Sequence, residues 1–159
     1  MEATFILFAL VVGLIMWAGV DLTITVASVQ AALPVTTQQP LVAGETLTQG
    51  QSVYLKTSDN KWYKAQCDGT AEEAGSATRF GIAMNAALSG QTCIVQEGGT
   101  CTLGATVTVG AMYCISDTAG GICLQSAVPT ASKITILGQG ATSTTLNMAL
   151  KSYTGYTVP

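Results

Sequence analysis

The residues with the widest chemical range in this 159-residue chain are five cysteines, Cys67, Cys93, Cys101, Cys114 and Cys123. A thiolate can attack a substrate, ligate a metal or join a disulfide. The first two uses lack support here. The chain contains no histidine, so a Ser, Thr or Cys nucleophile lacks its commonest base. No two cysteines have the C-x-x-C spacing of a zinc site. Glu72 and Glu73 are adjacent in a segment of small residues, where solvation is the simpler reading. Gly98-Gly99 and Gly120-Gly121 are not followed by Lys-Ser/Thr, so neither reads as a phosphate loop. Trp62 and Tyr63 would face opposite sides of a strand, which favours core packing over a flat sugar-binding platform. The expectation is a protein without catalytic residues, cofactor or metal.

Disulfides remain as cysteine chemistry, and register makes them specific. If Ser116 opposes Gly121 across a four-residue turn, Cys114 opposes Cys123. A hairpin centred on Glu97 would likewise set Cys93 against Cys101. Directly opposed strand residues have Cβ atoms about 4.5–5.5 Å apart, near disulfide range. Cys114–Cys123 and Cys93–Cys101 are therefore candidate disulfides, with Cys67 left over. The competing reading is that small apolar thiols fill strand positions and stay reduced.

The elements that would position these residues are β-strands. Turn signals recur from residue 41 onward. Strands are expected at 52–56, 62–67, 79–84, around 93–95, and then at 105–109, 112–115, 122–125, 133–137 and 144–150. Short strands at this spacing predict a mainly β fold, a small sandwich or barrel-like domain. Residues 68–78 read as a loop or a short helix. The stretch at 47–65 also echoes 107–125: each has Gly, a Tyr-bearing strand, a Ser-Asp turn and a return strand. Phe80-Gly81 and Leu137-Gly138 follow at corresponding places, which suggests two similar halves.

The N-terminal segment is a different material. Residues 3–20 contain no charged residue and no Asn or Gln; Glu2 and Asp21 bracket them. As a helix the run would span roughly 27 Å, against about 30 Å for a bilayer core. One hydrophobic α-helix is therefore expected over 1–21, with Phe5, Ile6, Leu7, Phe8, Leu10, Val11, Leu14, Ile15 and Trp17 as its anchoring side chains. Residues 22–40 are expected to be an extended arm or linker, and 41–159 the β domain. Three uses of the helix stay open: a transmembrane anchor, a helix buried in a bundle or under a protein shell, and a cleaved signal. The last is disfavoured because no basic n-region precedes the apolar run. The first basic residue is Lys56, so no positive-inside signal flanks the helix.

Charged residues make up 9% of the chain and the net charge is −3. Soluble proteins average about 25% charged residues. The acidic balance gives no electrostatic footprint for nucleic acid, and the scarcity of charge suits a surface covered by neighbours.

One larger likeness emerges. Leu47, Gly50, Val53 and Tyr54, then Phe80, Gly81, Ile82 and Ala83, then Gly90, Val95, Gly110 and Tyr113, and finally Ser116, Asp117, Gly120, Gly121 and Ile122 form a pattern of turns and packing positions. This pattern resembles the small β domains of bacteriophage capsid decoration, or cement, proteins and related head proteins. The resemblance covers roughly residues 41–150. It implies a structural protein on the virion surface, attached to a major capsid protein or another shell or filament subunit, and homo-oligomeric with a trimer favoured. The apolar N-terminal helix departs from that pattern and keeps a lipid membrane among the partners. The alternative is a membrane-anchored, extracytoplasmic or pilin-like surface protein whose N-terminal helices bundle and whose β heads face outward.

Overall fold

The structure is a computed structural model and describes residues 38–158. The hydrophobic helix expected over residues 1–21, and most of the arm, lie outside the described residues. Among the described residues no helix is long and apolar enough to cross a membrane.

Among the described residues ten strands form two five-stranded antiparallel sheets. The first sheet contains β1 (Gln38–Val42), β2 (Ser52–Lys56), β3 (Lys61–Lys64), β4 (Phe80–Ala83) and β5 (Thr92–Gln96), in the order β1-β5-β4-β2-β3. The second contains β6 (Gly99–Thr102), β7 (Met112–Ile115), β8 (Ile122–Leu124), β9 (Lys133–Gly140) and β10 (Thr145–Thr157), in the order β6-β10-β9-β7-β8. The mainly β expectation holds. β1 starts at Gln38, so the last residues assigned to the arm are strand. Pro40 sits inside β1 without penalty because β1 is an edge strand and one of its backbone rows needs no ladder donor.

The two sheet orders are the same order. Read β6 to β10 as a second β1 to β5, and the pairing repeats almost residue for residue. Val53 pairs Gly81 and Lys64 in the first half; Tyr113 pairs Gly138 and Leu124 in the second. Leu41 pairs Cys93; Cys101 pairs Leu146. The loops repeat as well. Gly50 and Gly110 both have φ near +80° and both donate at 2.8 Å, to the carbonyls of Ala83 and Gly140. Those two residues return hydrogen bonds at 2.9 Å to the carbonyls of Gln51 and Ala111. The echo in the sequence is thus a duplicated module, residues 38–96 and 99–157.

The first module curls on itself. Ala43, just past β1, bridges Trp62 of β3 in parallel, and Gly44 donates to the Trp62 carbonyl at 2.8 Å. The enclosed core holds Leu47, Val53, Leu55, Trp62, Ala83, Cys93 and Val95, all buried. A second core joins the inner side of the other module to the seam between modules: Tyr54, Phe80 and Ile82 pack there with Cys101, Val107, Tyr113, Cys114, Ile115, Leu137 and Leu146.

Two expectations need correction. Residues 105–109 form no strand; β6, at Gly99–Thr102, takes that place in the order. No hairpin is centred on Glu97 either. β5 and β6 are consecutive but belong to different sheets, because the short link at 97–98 carries the chain from one module to the next.

Gly81 and Gly138 occupy the same place in the two modules, and a Cβ on either would collide with backbone of the neighbouring strand, at Gln96 O and Asn147 O respectively. Backbone cannot yield as a flexible side chain can. Gly81→Val and Gly138→Val are each expected to destabilise the domain by about 1–3 kcal/mol, the range for forced overpacking, measured as a shift in chemical-denaturation midpoint. Val at Gly104, where nothing lies within 4 Å but φ is +70°, would show backbone strain without the collision.

Candidate functional site

The distinctive locus of the described residues is the seam where the second module meets the first. Its centre is the β7–β8 turn at residues 117–120. That turn follows from its sequence: Ser116 Oγ accepts from the Thr118 amide at 3.2 Å, and Gly120 takes φ +75°, which glycine adopts at little cost. The register is the one expected, Tyr113 with Leu124, Cys114 with Cys123 and Ile115 with Ile122.

The turn docks on the start of β2 and the end of β3. Ser52 N–H donates to Gly120 O at 2.9 Å, and Gly120 N–H donates to Ala65 O at 2.8 Å. Ser52 Oγ donates to Gly121 O at 2.8 Å. Farther along, Cys67 N–H donates to Ser116 O, and Lys133 N–H to Cys67 O, both at 2.9 Å. Lys133 Nζ reaches Gly69 O at 2.6 Å, and Thr135 Oγ1 reaches Ala74 O at 2.6 Å within the buried seam. These bonds fix the 67–76 loop, which is a run of turns rather than a helix.

The cysteines divide between this seam and the module cores, and all five are free thiols. Cys67, Cys114 and Cys123 gather at the seam. Burial pushes the Cys114 thiol up to about 12, helped by Cys123 and Cys67 nearby. Burial also raises Cys67 and Cys123. Cys93 and Cys101 are not opposed: Cys93 lies in the first module's core and Cys101 in the second core, 3.6 Å from Met84 Sδ. Burial lifts Cys101 to about 11. Thiols held protonated at neutral pH are poor nucleophiles and poor ligands. Among the described residues no group of three or more His, Cys, Asp or Glu is placed to hold a metal ion.

A polar cluster flanks the seam on the first module. Glu72 accepts from the Thr57 amide and hydroxyl. Glu73 accepts from the Thr70 amide at 2.6 Å. Glu45 accepts from the Lys64 amide at 2.7 Å. Burial and these three carboxylates, Glu73 foremost, push the Tyr54 hydroxyl up to about 12. Each carboxylate is thus committed to capping backbone. Trp62 is buried and Tyr63 half-buried, its hydroxyl donating to Asp59 at 2.7 Å, so the pair does face opposite ways. Trp62 Nε1 has no hydrogen-bond partner among the described residues, while the Arg79 guanidinium lies 5.8 Å from its ring centre.

Missed by sequence reasoning was a socket on the second module, a cavity of about 270 Å³ lined by Ala111, Met112, Leu124, Gln125 and Ser126. The exposed Leu124 ends an edge strand where its counterpart Lys64 carries charge, and this Lys-to-Leu difference between the two halves was the available signal. No family model matches the chain, and neither a curated protein nor a solved structure does.

Two outcomes follow from this geometry. Gly120→Val combines a positive φ with crowding against Gln51 and Lys64 at 3.1–3.2 Å; the expected loss is about 1–3 kcal/mol, the scale of strain at a special backbone position, read by thermal or urea unfolding. The second concerns alkali. The native pKa values of Cys101, Cys114 and Tyr54 lie above the unfolded ones, about 8.5 for Cys and 10 for Tyr, so the unfolded chain loses these protons first. Their contribution is full below about pH 8.5 and lost as pH rises towards 12. Urea midpoints under reducing conditions should fall between pH 8.5 and 11; a flat profile there would contradict the burial of these groups.

Proposed function

We propose that the protein is a structural subunit of a virion, a decoration-type β head fixed to a shell through its N-terminal segment, and that it carries out no catalysis. The observation that carries this reading is the duplicated module. Residues of the resemblance recur at matching places in the two halves, Gly50 and Gly110 in the turn before a strand and Val53 and Tyr113 within it, and Gly81 of the resemblance has Gly138 of the internal echo as its counterpart. Such a head has its chemistry committed to packing. Its buried thiols are protonated fillers, and Glu45, Glu72 and Glu73 cap backbone.

The few charges and the apolar N-terminal run point the same way. About 18 residues with several large apolar side chains, each worth about 1.5–3 kcal/mol on burial, together exceed the net stability of a small domain. They require a partner, either a shell protein, a bundle of copies or lipid. The uninterrupted apolar run of residues 3–20 favours a second reading, a membrane-anchored or pilin-like surface protein with outward β heads.

Deletion of residues 1–33 tests the attachment. The truncated chain is expected to be soluble and to be missing from purified native particles. Incorporation at normal occupancy would remove the helix as the anchor. Detergent treatment of the intact assembly separates the two readings: release of the protein supports a lipid anchor, and retention supports a protein shell.

A further inference from the structure

The seam between the modules is one-sided, and this has a consequence for assembly. A twofold relation between the halves would make every contact twice. The Gly120 turn of the second module seats between Ser52 and Ala65 of the first. The reciprocal contact would seat the Asn60 turn of the first module between Met112 and Gln125 of the second, and it is not made. The turn at 57–60 is exposed along its whole length, whereas Gly120 is buried. Asn60 N–H instead closes on its own Lys56 O at 2.9 Å.

The unused pieces match the used ones. Both turns contain four residues between the paired positions Lys56–Lys61 and Ser116–Gly121. The fourth residue has positive φ in each, +56° at Asn60 and +75° at Gly120. The unused receiving site is recognisable by register, and differs in that Gln125 opens a 3-10 turn, Gln125–Ala127, whose Val128 N–H reaches the Gln125 carbonyl at 3.4 Å. Gln51, Ser52, Lys64 and Ala65 receive the turn in the first module. Their counterparts by register, Ala111, Met112, Leu124 and Gln125, line the socket of about 270 Å³. Ala65 is buried under the docked turn, and its counterpart Gln125 is exposed. Leu124, 38% exposed, is apolar at the position where Lys64 stands in the first module.

We propose that the 57–60 turn of one copy seats in the 111–126 socket of a second copy, continuing between molecules the contact that joins the two modules within one. The occupant is a second copy of this chain because the turn that fits is already present on it. A contact between different surfaces of identical subunits is heterologous: it closes a ring if the rotation permits and otherwise builds a filament. The contact does not depend on the assembly being a virion.

Cross-linking between copies tests it. Gly120 N–H bonds to Ala65 O within one chain, so Asn60 and Gln125 are the corresponding neighbours between chains. Full-length chains carrying Asn60→Cys and full-length chains carrying Gln125→Cys are co-expressed, and the assembly is oxidised with copper phenanthroline. The expected product is a covalent dimer joined between the two substituted positions, identified by peptide mass spectrometry. Either variant expressed alone should stay monomeric on a non-reducing gel. The double variant should give a ladder. Asp59→Cys with Ser126→Cys repeats the test at positions without positive φ. Absence of the mixed dimer in both pairs overturns the proposal, as does equal dimer formation by one variant alone, which would mean a symmetric contact.

Discussion

Two backbone hydrogen bonds, Ser52 N–H to Gly120 O and Gly120 N–H to Ala65 O, seat the β7–β8 turn of the second module on the first and set the geometry of the seam. They join strands that no ladder connects. Backbone bonds are insensitive to side-chain identity but demanding of geometry, so the residue between them must follow the chain into a positive φ, and at this seat, crowded by Gln51 and Lys64, it must also leave no bulk behind. Gly120 does both. Once the turn is seated, Ser116 O is positioned for the Cys67 amide, Cys67 O for the Lys133 amide, and the 67–76 loop is pulled over β9. The seam is therefore a connected series of backbone hydrogen bonds that runs outward from the turn. The apolar residues Tyr54, Phe80, Ile82, Cys114 and Leu137 fill the space the turn defines.

Duplication explains why the two cores differ so much in composition and yet share a register. Leu41 faces Cys93 in one module, and Cys101 faces Leu146 in the other. The large and small residues have exchanged strands. Val53 and Trp62 in the first module correspond to Tyr113 and Ile122 in the second, again one aromatic and one aliphatic with places exchanged. Cores tolerate substitutions that conserve total volume, and these exchanges do so. At the seam the relation is different. The Tyr54–Tyr63 pair, with ring centres 6.0 Å apart, corresponds to Cys114–Cys123. Two large residues on one side of the seam meet two small ones on the other. Four of the five cysteines thus have a packing role that follows from their duplicate position.

What the sequence revealed is what local chemistry decides. The β2–β3 and β7–β8 hairpins were legible because Ser-Asp turns and alternating strands are local signals, and so was the register that pairs Cys114 with Cys123. The duplication was legible as an echo of turns. The Cys93–Cys101 pairing was not recoverable, because summing positions across a turn assumes that consecutive strands pair. At Glu97–Gly98 the chain instead leaves one sheet for the other. The alternating Val107-Thr108-Val109 imitates a strand, yet only Val107 is buried; Val109 is 64% exposed. Its counterpart region supplies Leu47, which makes a single bridge to Ala87 rather than a ladder. β6 was legible only as the return arm of the supposed Cys93–Cys101 hairpin, because Gly-Thr-Cys-Thr has only one residue that needs burial and nothing in it names β10 as its partner. For the socket the sequence offered only the exchange of Lys64 for Leu124 at matching places. The socket exists only as the unoccupied twin of a contact that must first be seen in three dimensions.

The two modules have also diverged in how they end. In the first, Gly44 closes the sheet onto Trp62, and Glu45 caps the Lys64 amide, so the outer edge of β3 has its polar groups met. In the second, the counterpart Gly104 adopts φ +70° with open space around it, and no bridge joins Leu103 to Ile122 among the described residues. β8 is left a three-residue edge beside an apolar socket. Proteins blunt exposed edges by shortening or charging them. β3 carries Lys61 and Lys64, whereas β8 is shortened and carries Leu124. Shortening guards against indiscriminate strand addition, and keeping the edge uncharged preserves a surface that a matched turn can cover. The closed module suits an end that inserts, and the open module an end that receives.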